Sequence, residues 1–319
     1  MFNVEISVVI PCFNVSGYID ECMQCVLSQT KLPLQIICVD DNSTDNTREI
    51  LASYAERYPD LISLLSNREK KGAPGSRNTG LAACKGNYVQ FLDADDILFP
   101  IKFEHHAKLM SAAEGKTDIL VGSFSKKFMN GTEKIYLNKK NDPWVALIDN
   151  KIGVTTGNLF KKSKLEEING WNAELKSSQE YELMFRLLKK NAVVQFDEVM
   201  VSFNRERSSG SITQSNPKEK WKRYIDLRIE IFNFLQSNNL LNKERENTFY
   251  ANMLNSIRSL YKFDKATAIS LNLQYLQGKD LPLNDQPMNR LYVFLYNRFG
   301  FSVAQELSKL VSIGKLMES

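Results

Sequence analysis

In the first hundred residues, short apolar runs alternate with longer stretches in which apolar residues recur every three or four positions. The runs lack regular polar alternation, which is typical of strands buried on both faces of a parallel sheet. The stretches between them have the spacing of amphipathic helices. The pattern predicts strands at 6–10, 34–39, 61–65 and 88–92, and helices near 17–28, 44–57 and 74–84.

Beyond residue 117 the pattern becomes mixed and then mostly helical. A polar segment, residues 208–217, separates the two parts and favours a domain boundary there. We therefore predict an α/β domain over residues 1–213 and an α-helical region over 214–319. The pattern predicts helices at 163–169 and 177–190, then an apolar stretch at 193–203, and helices at 218–235, 243–261, 265–275 and through the last thirty residues.

Composition excludes several classes of protein. A chain of 319 residues with 43% hydrophobic and 24% charged residues is typical of a folded globular protein. The two histidines, His105 and His106, cannot build a multi-histidine zinc site. All five cysteines precede residue 85, and we interpret Cys22 and Cys25 as one face of a helix instead of a metal or redox motif.

The N-terminus and the charge distribution bear on location and partners. No run reaches the roughly 18 apolar residues of a membrane span, and the first residues lack a basic segment of the signal-peptide type, so we expect a cytoplasmic protein. The net charge is +4, with 24 basic and 26 acidic residues in 1–204 and 17 and 11 in 205–319. A basic segment of this kind can attract nucleic acid, anionic lipid or a phosphorylated ligand, or form a solvated surface, and of these partners we expect no nucleic acid.

Acidic residues follow two of the predicted strands. Asp40 and Asp41 follow the second strand, and Asp93, Asp95 and Asp96 follow the fourth. The carboxyl ends of parallel strands form the ligand-binding edge of such sheets. Crowded carboxylates there need raised pKa values or a cation, and an all-oxygen ligand set suits Mg²⁺ or Mn²⁺.

Other interpretations of these acids stay open. The cluster at 93–96 also fits a solvated loop, and the second acidic segment fits a helix start with Ser43 or Thr44 as N-cap and Asp45 in the first turn. The segment after the first strand, Pro11 to Asn14, contains neither a dinucleotide fingerprint nor a P-loop. The main sequence evidence for an ordinary dehydrogenase or a P-loop kinase is therefore absent from this segment.

Two further segments carry candidate chemistry. In KKGAPGSRNTG, residues 70–80, a helix starting near Pro74 would present free N–H groups to an anion, and Arg77 would add a charge-assisted bond to a phosphate, although an ordinary turn is the alternative. On the helix at 177–190, Glu180 points with the apolar stripe towards the interior, whereas Glu182 pairs with Arg186 on the outer face. A capping box from Ser177 to Glu180 is the competing interpretation of Glu180.

Taken in order, these segments resemble the inverting glycosyltransferases of family 2, enzymes of the GT-A fold that include bacterial cell-surface glycan types. The resemblance covers about the first 210 residues. It is carried by VVIPCFN at 8–14, VDDNSTD at 39–45, GSRNTG at 75–80, GNY at 86–88, FLDADD at 91–96 and QEYEL at 179–183 with Arg186.

The resemblance implies a role for each matching residue. Glu180 would be the general base, at a position where the family has Asp, with Gln179 where the family has Glu. Many relatives have a histidine at or near Arg207. The donor would be bound by Pro11, Phe13, Asp40, Asp41, Arg77, Asp93, Arg205 and Arg207. Asp41, with Asp40 beside it, would read the base, Asp93 would contact the ribose, and Arg77 would lie near the pyrophosphate or the sugar. Arg205 or Arg207 would close over the leaving group, and the metal would be held by Asp95 and Asp96.

The resemblance also implies the reaction. It is transfer of a sugar with inversion from a nucleotide diphosphate sugar, a UDP-sugar, to a hydroxyl of a glycan, lipid-linked or protein-linked acceptor, assisted by Mn²⁺ or Mg²⁺. The alternative is a catalytically weak sugar-nucleotide-binding scaffold that assembles through its helical tail.

The helical tail is rich in aromatic and basic residues. We interpret it as packing on the catalytic domain or on a second copy in a homo-oligomer. The alternative is peripheral contact with the inner face of the cell membrane, close to a lipid-linked acceptor.

Overall fold

The computed structural model describes residues 2–67, 72–139, 142–206, 216–279, 281 and 290–317. The chain forms two compact units, Met1–Ser211 and Ile212–Ser319. The boundary expected at residue 213 lies outside the described residues and stays a prediction.

The first unit begins with alternating strands and helices, as predicted. Each predicted element of the first hundred residues is present, with bounds shifted by three residues at most. In chain order they are β1 (Ile6–Cys12), α1 (Ile19–Leu27), β2 (Gln35–Asp40), α2 (Thr47–Arg57), β3 (Ile62–Ser66), α3 (Ala73–Ala82) and β4 (Tyr88–Phe91).

The rest of the first unit adds five strands and four helices among the described residues. They are β5 (Ile97–Leu98), α4 (Lys102–Ala112), β6 (Ile119–Lys127), β7 (Glu133–Tyr136), α5 (Pro143–Ile148), β8 (Asn158–Lys161), α6 (Lys162–Glu167), α7 (Gln179–Lys189) and β9 (Val194–Arg205).

The described strands form one sheet in the order β3-β2-β1-β4-β8-β6-β9-β5, with β7 paired to β6. Strands β1 to β4 are mutually parallel, as predicted, whereas β8 runs antiparallel to both β4 and β6. The parallel half therefore directs the ends of β1, β2 and β4 to one edge, where the acidic segments follow.

The central strands β1, β2 and β4 are buried because they are apolar on both faces. Every residue of β2 and of β4 is buried. On α1 the side chains of Cys22 and Cys25 lie on the buried face, and all five cysteines are free thiols. The interpretation of this pair as one face of a helix is confirmed.

The start of α2 differs from the expectation. The helix begins at Thr47, and neither Ser43 nor Thr44 is its N-cap. Instead the Asp45 carboxylate accepts the Thr47 backbone N–H at 3.0 Å and the Ser16 N–H at 3.1 Å. The predicted caps are wrong because Asp45, nearer to the helix, already satisfies the first free N–H groups.

The second unit contains long helices, which confirms the predicted helical region. They are α8 (Pro217–Ser237), α9 (Lys243–Tyr261), α10 (Lys265–Tyr275) and α11 (Arg290–Met317). The side chains of Asn216, Asn242 and Asp264 cap the first three by accepting the backbone N–H of the third residue of each helix. Across the described residues, no helix combines the length and apolar character needed to cross a membrane.

We predict that Gly86→Ala destabilises the first unit by about 1–3 kcal/mol, because overpacking a closed site forces backbone shifts. A Cβ at Gly86 would lie 2.5 Å from the Glu5 carbonyl oxygen and 2.8 Å from the Ser7 nitrogen. Gly17→Ala is the control, since a Cβ there meets no atom within 4 Å. Denaturant unfolding of both variants measures the difference; equal stability would contradict the tight packing of this segment on β1.

Candidate active site

The carboxyl ends of β2 and β4 place the predicted acids at one edge of the sheet. Asp40 is the last residue of β2, and Asp41 is held beside the end of β1 by a bond from its N–H to the Cys12 carbonyl at 2.8 Å. Asp93 follows β4 by two residues. The structure thus brings the two acidic segments to neighbouring strand ends around β1.

Both acids of the first segment are buried and bonded to the chain. The Asp41 carboxylate accepts the Gly72 N–H at 2.8 Å and the Asn67 side-chain amide at 2.7 Å. The Asp40 carboxylate pairs with Arg48 at 3.3 Å. These bonds fix the loop ends around the edge, and the contact of the two aspartates with a nucleotide base stays a prediction.

Arg77 joins the helix α3 to the acidic cluster. Its buried guanidinium donates to the Asp93 carboxylate at 2.6 Å and to the Gln179 side-chain oxygen at 3.3 Å. It also lies 4.4 Å from the centre of the Trp171 ring. Sequence reasoning missed Trp171, and the geometry makes Asp93 the charge partner of Arg77, whose expected phosphate contact stays a prediction.

Asp96 is buried, and both of its oxygens accept hydrogen bonds from the chain. One oxygen accepts from the Thr156 hydroxyl at 2.7 Å and from the Asn204 amide, and the other from the Arg205 N–H at 3.1 Å. Burial, with the charges of the two neighbouring aspartates, raises the pKa of Asp96 well above its usual range. This arrangement favours a structural role, and its metal contact stays a prediction.

The remaining acids of the cluster, Asp93 and Asp95, are half-buried. Their carboxylate oxygens are the ligands that Mg²⁺ and Mn²⁺ prefer. In the described part of the chain, no three His, Cys, Asp or Glu side chains are grouped to hold a metal ion. The residues present therefore fit a cation that takes most of its ligands from phosphates and water.

Glu180 lies in the first turn of α7, but it is not part of a capping box. The helix is preceded by Ser178, which has a left-handed φ of 57° and makes no side-chain capping bond. The capping interpretation with Ser177 is wrong, because the turn at Ser178 places the N-cap one residue later than the motif requires. The inward direction expected of Glu180 is confirmed by its shielded oxygen, Oε1.

The environment of Glu180 changes its acidity. Burial raises the pKa of its carboxyl to about 8, and the charge of Asp93 adds to the rise, whereas a hydrogen bond with Thr155 and the charge of Arg77 oppose it. Its Oε1 accepts no hydrogen bond from the described residues. A half-buried carboxylate with an unbonded oxygen can take a proton from a ligand at neutral to mildly alkaline pH.

The predicted pair of Glu182 with Arg186 is confirmed, although it is not on an outer face. The guanidinium meets the carboxylate at 2.6 and 2.9 Å, and a further N–H donates to the Ile168 carbonyl at 2.7 Å. Only 13% of the Glu182 side chain and 21% of the Arg186 side chain are exposed. The pair therefore fixes α7 to the segment before it.

Four more residues were predicted to bind the nucleotide-sugar donor. Pro11 is within β1, and Phe13, just after it, is 45% exposed. Arg205 pairs with Glu21 of α1 at 2.5 Å, a partner that no local sequence signal indicated. Arg207 lies outside the described residues, so its role stays a prediction.

Comparison of the sequence with protein families identifies the family to which the chain belongs. Residues 7–173, more than half of the chain, match the family described as Glycosyl transferase family 2. The chain belongs to glycosyl transferase family 2. The family predicted from the ordered motifs, and with it the enzyme class of glycosyltransferase, is confirmed.

The chain is similar to curated proteins and to solved structures, of which three are described. A poly(ribitol-phosphate) beta-glucosyltransferase of Bacillus spizizenii is 34% identical over 172 residues, 51% of this chain and 26% of the relative. S. aureus TarS 1-349 in complex with UDP-GlcNAc has a TM-score of 0.60 at 16% identity, covering 96% of this chain and 92% of that one. The mannosyltransferase PcManGT from Pyrobaculum calidifontis, in complex with GDP-Man and Mn²⁺, has a TM-score of 0.56 at 16% identity and covers 88% and 78%.

These similarities confirm the fold expected of the chain, a GT-A-like sheet covered by helices and followed by a helical region. The chain spans between about a quarter and about half of the length of five curated relatives that it matches. At 16% identity the solved structures support the fold alone.

We predict that Glu180→Gln stabilises the protein at pH 9 but not at pH 4. The unfolded chain loses this proton near pH 4.5 and the folded chain near 8, so the stability of the native protein falls as the pH rises through that window. Glutamine removes the effect, a gain of roughly 1–2 kcal/mol after allowance for partial solvent exposure.

Thermal unfolding at both pH values measures this gain. Glu182→Gln is the matched control, since it breaks the ion pair with Arg186 and should destabilise at pH 9. An equal change for Glu180→Gln at both pH values would contradict the raised pKa.

Proposed function

We propose that the chain is an inverting glycosyltransferase that moves a sugar from a UDP-sugar to a hydroxyl of a glycan, lipid-linked or protein-linked acceptor. The observation that carries the proposal is Glu180, a shielded carboxylate with a pKa of about 8 near Arg77 and Asp93. A general base works best when its pKa lies near the operating pH.

The donor and acceptor classes are supported by relatives. The bound nucleotide sugar of TarS is UDP-GlcNAc, and the Bacillus spizizenii relative is named for glucosyl transfer to poly(ribitol-phosphate). PcManGT binds GDP-Man, so GDP is a second donor nucleotide that the experiment must include. Together they favour UDP and an acceptor hydroxyl on a bacterial cell-surface polymer.

In the proposed reaction Glu180 takes the proton of the acceptor hydroxyl as its oxygen attacks the anomeric carbon. The attack comes from the face opposite the diphosphate, so one C–O bond forms while the bond to the leaving phosphate oxygen breaks and the configuration inverts. Arg77 and Asp93 neutralise each other, which leaves Asp93 held in place for a ribose contact. Arg205 and Arg207 would neutralise the leaving diphosphate.

A divalent cation fits this proposal. Asp95 would hold it, with Asp96 adjacent, and the bound ion would supply electrostatic stabilisation of the departing diphosphate. Asp96 already accepts hydrogen bonds from Thr156, Asn204 and the Arg205 N–H.

The second unit is proposed to mediate assembly with a second copy. Phe294 and Phe299 of α11 are each 53% exposed, and a second subunit would cover such side chains. Peripheral contact with the inner face of the membrane is the competing proposal for this unit.

A donor panel tests the proposed function. UDP-GlcNAc, UDP-glucose and GDP-mannose are incubated with the full chain and Mn²⁺, and release of the nucleoside diphosphate is followed. Release from a UDP-sugar supports the proposal. Tight UDP-sugar binding without turnover, with or without added glycan acceptors, would favour the scaffold alternative.

Glu180→Gln should lower turnover by about 10³-fold or more while UDP affinity stays within about twofold, because the amide cannot accept the acceptor proton. Calorimetry with UDP and the release assay separate the two quantities. Glu182→Gln removes a neighbouring carboxylate of the same helix and should retain most of the turnover. Full turnover in Glu180→Gln would refute the base assignment.

Asp95→Asn should remove the dependence of UDP affinity on Mn²⁺, because an amide oxygen binds a divalent cation far more weakly than a carboxylate. Calorimetric titration of UDP with Mn²⁺ and with EDTA measures the effect. Asp60→Asn, at an exposed position, is the control. A metal dependence that persists in Asp95→Asn would place the cation elsewhere.

A further inference from the structure

Lys102, at the start of α4, is a lysine with no exposed surface. Its ammonium donates to the Thr156 carbonyl at 2.7 Å and to the Gly157 carbonyl at 2.8 Å. Burial lowers the pKa of Lys102 well below its usual range. A lysine is almost never buried completely without a partner that compensates the lost hydration.

The two carbonyls belong to a turn that precedes β8. In this turn, residues 154–157, the Gly157 N–H bonds back to the Val154 carbonyl at 2.9 Å. Thr155 and Thr156 are both buried. Gln90 of β4 adds a second donor to the Thr156 carbonyl at 3.0 Å. The turn is thus fixed from α4 and from the central sheet.

The same turn contacts both chemical parts of the site. The Thr156 hydroxyl donates to Asp96 at 2.7 Å. The neighbouring Thr155 is buried beside the Glu180 carboxylate, and its hydroxyl lowers the pKa of that group. Two adjacent threonines therefore connect the acidic cluster to the proposed base, and the ammonium that holds their backbone is buried behind them.

Apolar packing would serve stability at this position at a lower desolvation cost. Replacing buried ionic groups by apolar residues of similar volume is often neutral or stabilising. The charged groups that face Lys102 are Asp197 of β9, which favours its protonation, and His106 of α4, whose own pKa burial and Lys102 lower. The Nε2 atom of His105 lies 2.9 Å from the Asp197 carboxylate. Lys102 forms no ion pair of its own with a carboxylate among the described residues.

We propose that Lys102 is a positioning residue for the transfer reaction, acting through the turn at residues 154–157 to set the place of Glu180 relative to the acidic cluster. The inference rests on the proposed function of Glu180 as the base. In this proposal Lys102 and the two threonines exchange no atom or proton with the substrates, although Thr155 lies beside Glu180. Their effect is on geometry, where a displacement of about 1 Å costs up to 10²-fold in rate.

The test compares Lys102→Met with Lys108→Met, an exposed lysine of the same helix that pairs with Glu104. UDP release is measured with the UDP-sugar that turns over, and UDP affinity by calorimetry with Mn²⁺. Lys102→Met should lower kcat about 10- to 100-fold with donor KM within about twofold. Lys108→Met should match the parent protein.

Two variants of Thr155 test the role of the turn if Lys102→Met does not fold. Thr155→Val removes the hydroxyl that meets Glu180, and Thr155→Ser restores it. Valine should lower kcat and move the acidic limb of the pH–rate profile to higher pH, since the lost bond favours the charged carboxylate. Serine should recover both.

Outcomes separate this inference from the proposed function. If Lys102→Met folds with unchanged kcat, or if Thr155→Val leaves kcat and the acidic limb unchanged, the positioning role is overturned. Turnover retained in Glu180→Gln refutes the base assignment itself, whatever the turn variants do. A lower melting temperature for Lys102→Met with unchanged kcat would leave Lys102 a structural residue only.

Discussion

Carboxylates crowded at one edge of an apolar sheet impose the constraint on which the first unit depends. Each must be paired, hydrogen-bonded or protonated, because a bare charge beside buried strands is costly. Asp93 is paired with Arg77, and Asp41 accepts two bonds from loop atoms. The pKa values of Asp96 and Glu180 are raised, and Asp96 in addition accepts three hydrogen bonds from the chain.

The groups that satisfy these acids come from distant parts of the chain and hold them together. Arg77 of α3 reaches Gln179 at the start of α7 as well as Asp93. Asp96 joins the turn before β8 to the end of β9 through Thr156 and the Arg205 N–H. Much of the site is therefore arranged by the fold itself, which is the condition for electrostatic and positional catalysis without reorganisation.

Local patterns predicted the elements well and the pairing only in part. Strands β1 to β4 follow from apolar runs bounded by polar segments, and their parallel order follows from the helices between them. The antiparallel insertion of β8 between β4 and β6 has no comparable local signal, since it depends on pairing across about 70 residues. The capping box failed for a local reason, the left-handed turn at Ser178.

The sequence by itself determined the family, the α/β fold with a helical region after it, and the acids that reach the edge of the sheet. The order of these acids along the chain is enough to predict that they meet, because the carboxyl ends of parallel strands lie at the same edge of the sheet. Only the tertiary structure decided that Arg77 neutralises Asp93, that burial raises the pKa of Glu180, and that Lys102 is buried behind the turn. Burial and charge pairing depend on residues far apart in sequence, so no local pattern carries them.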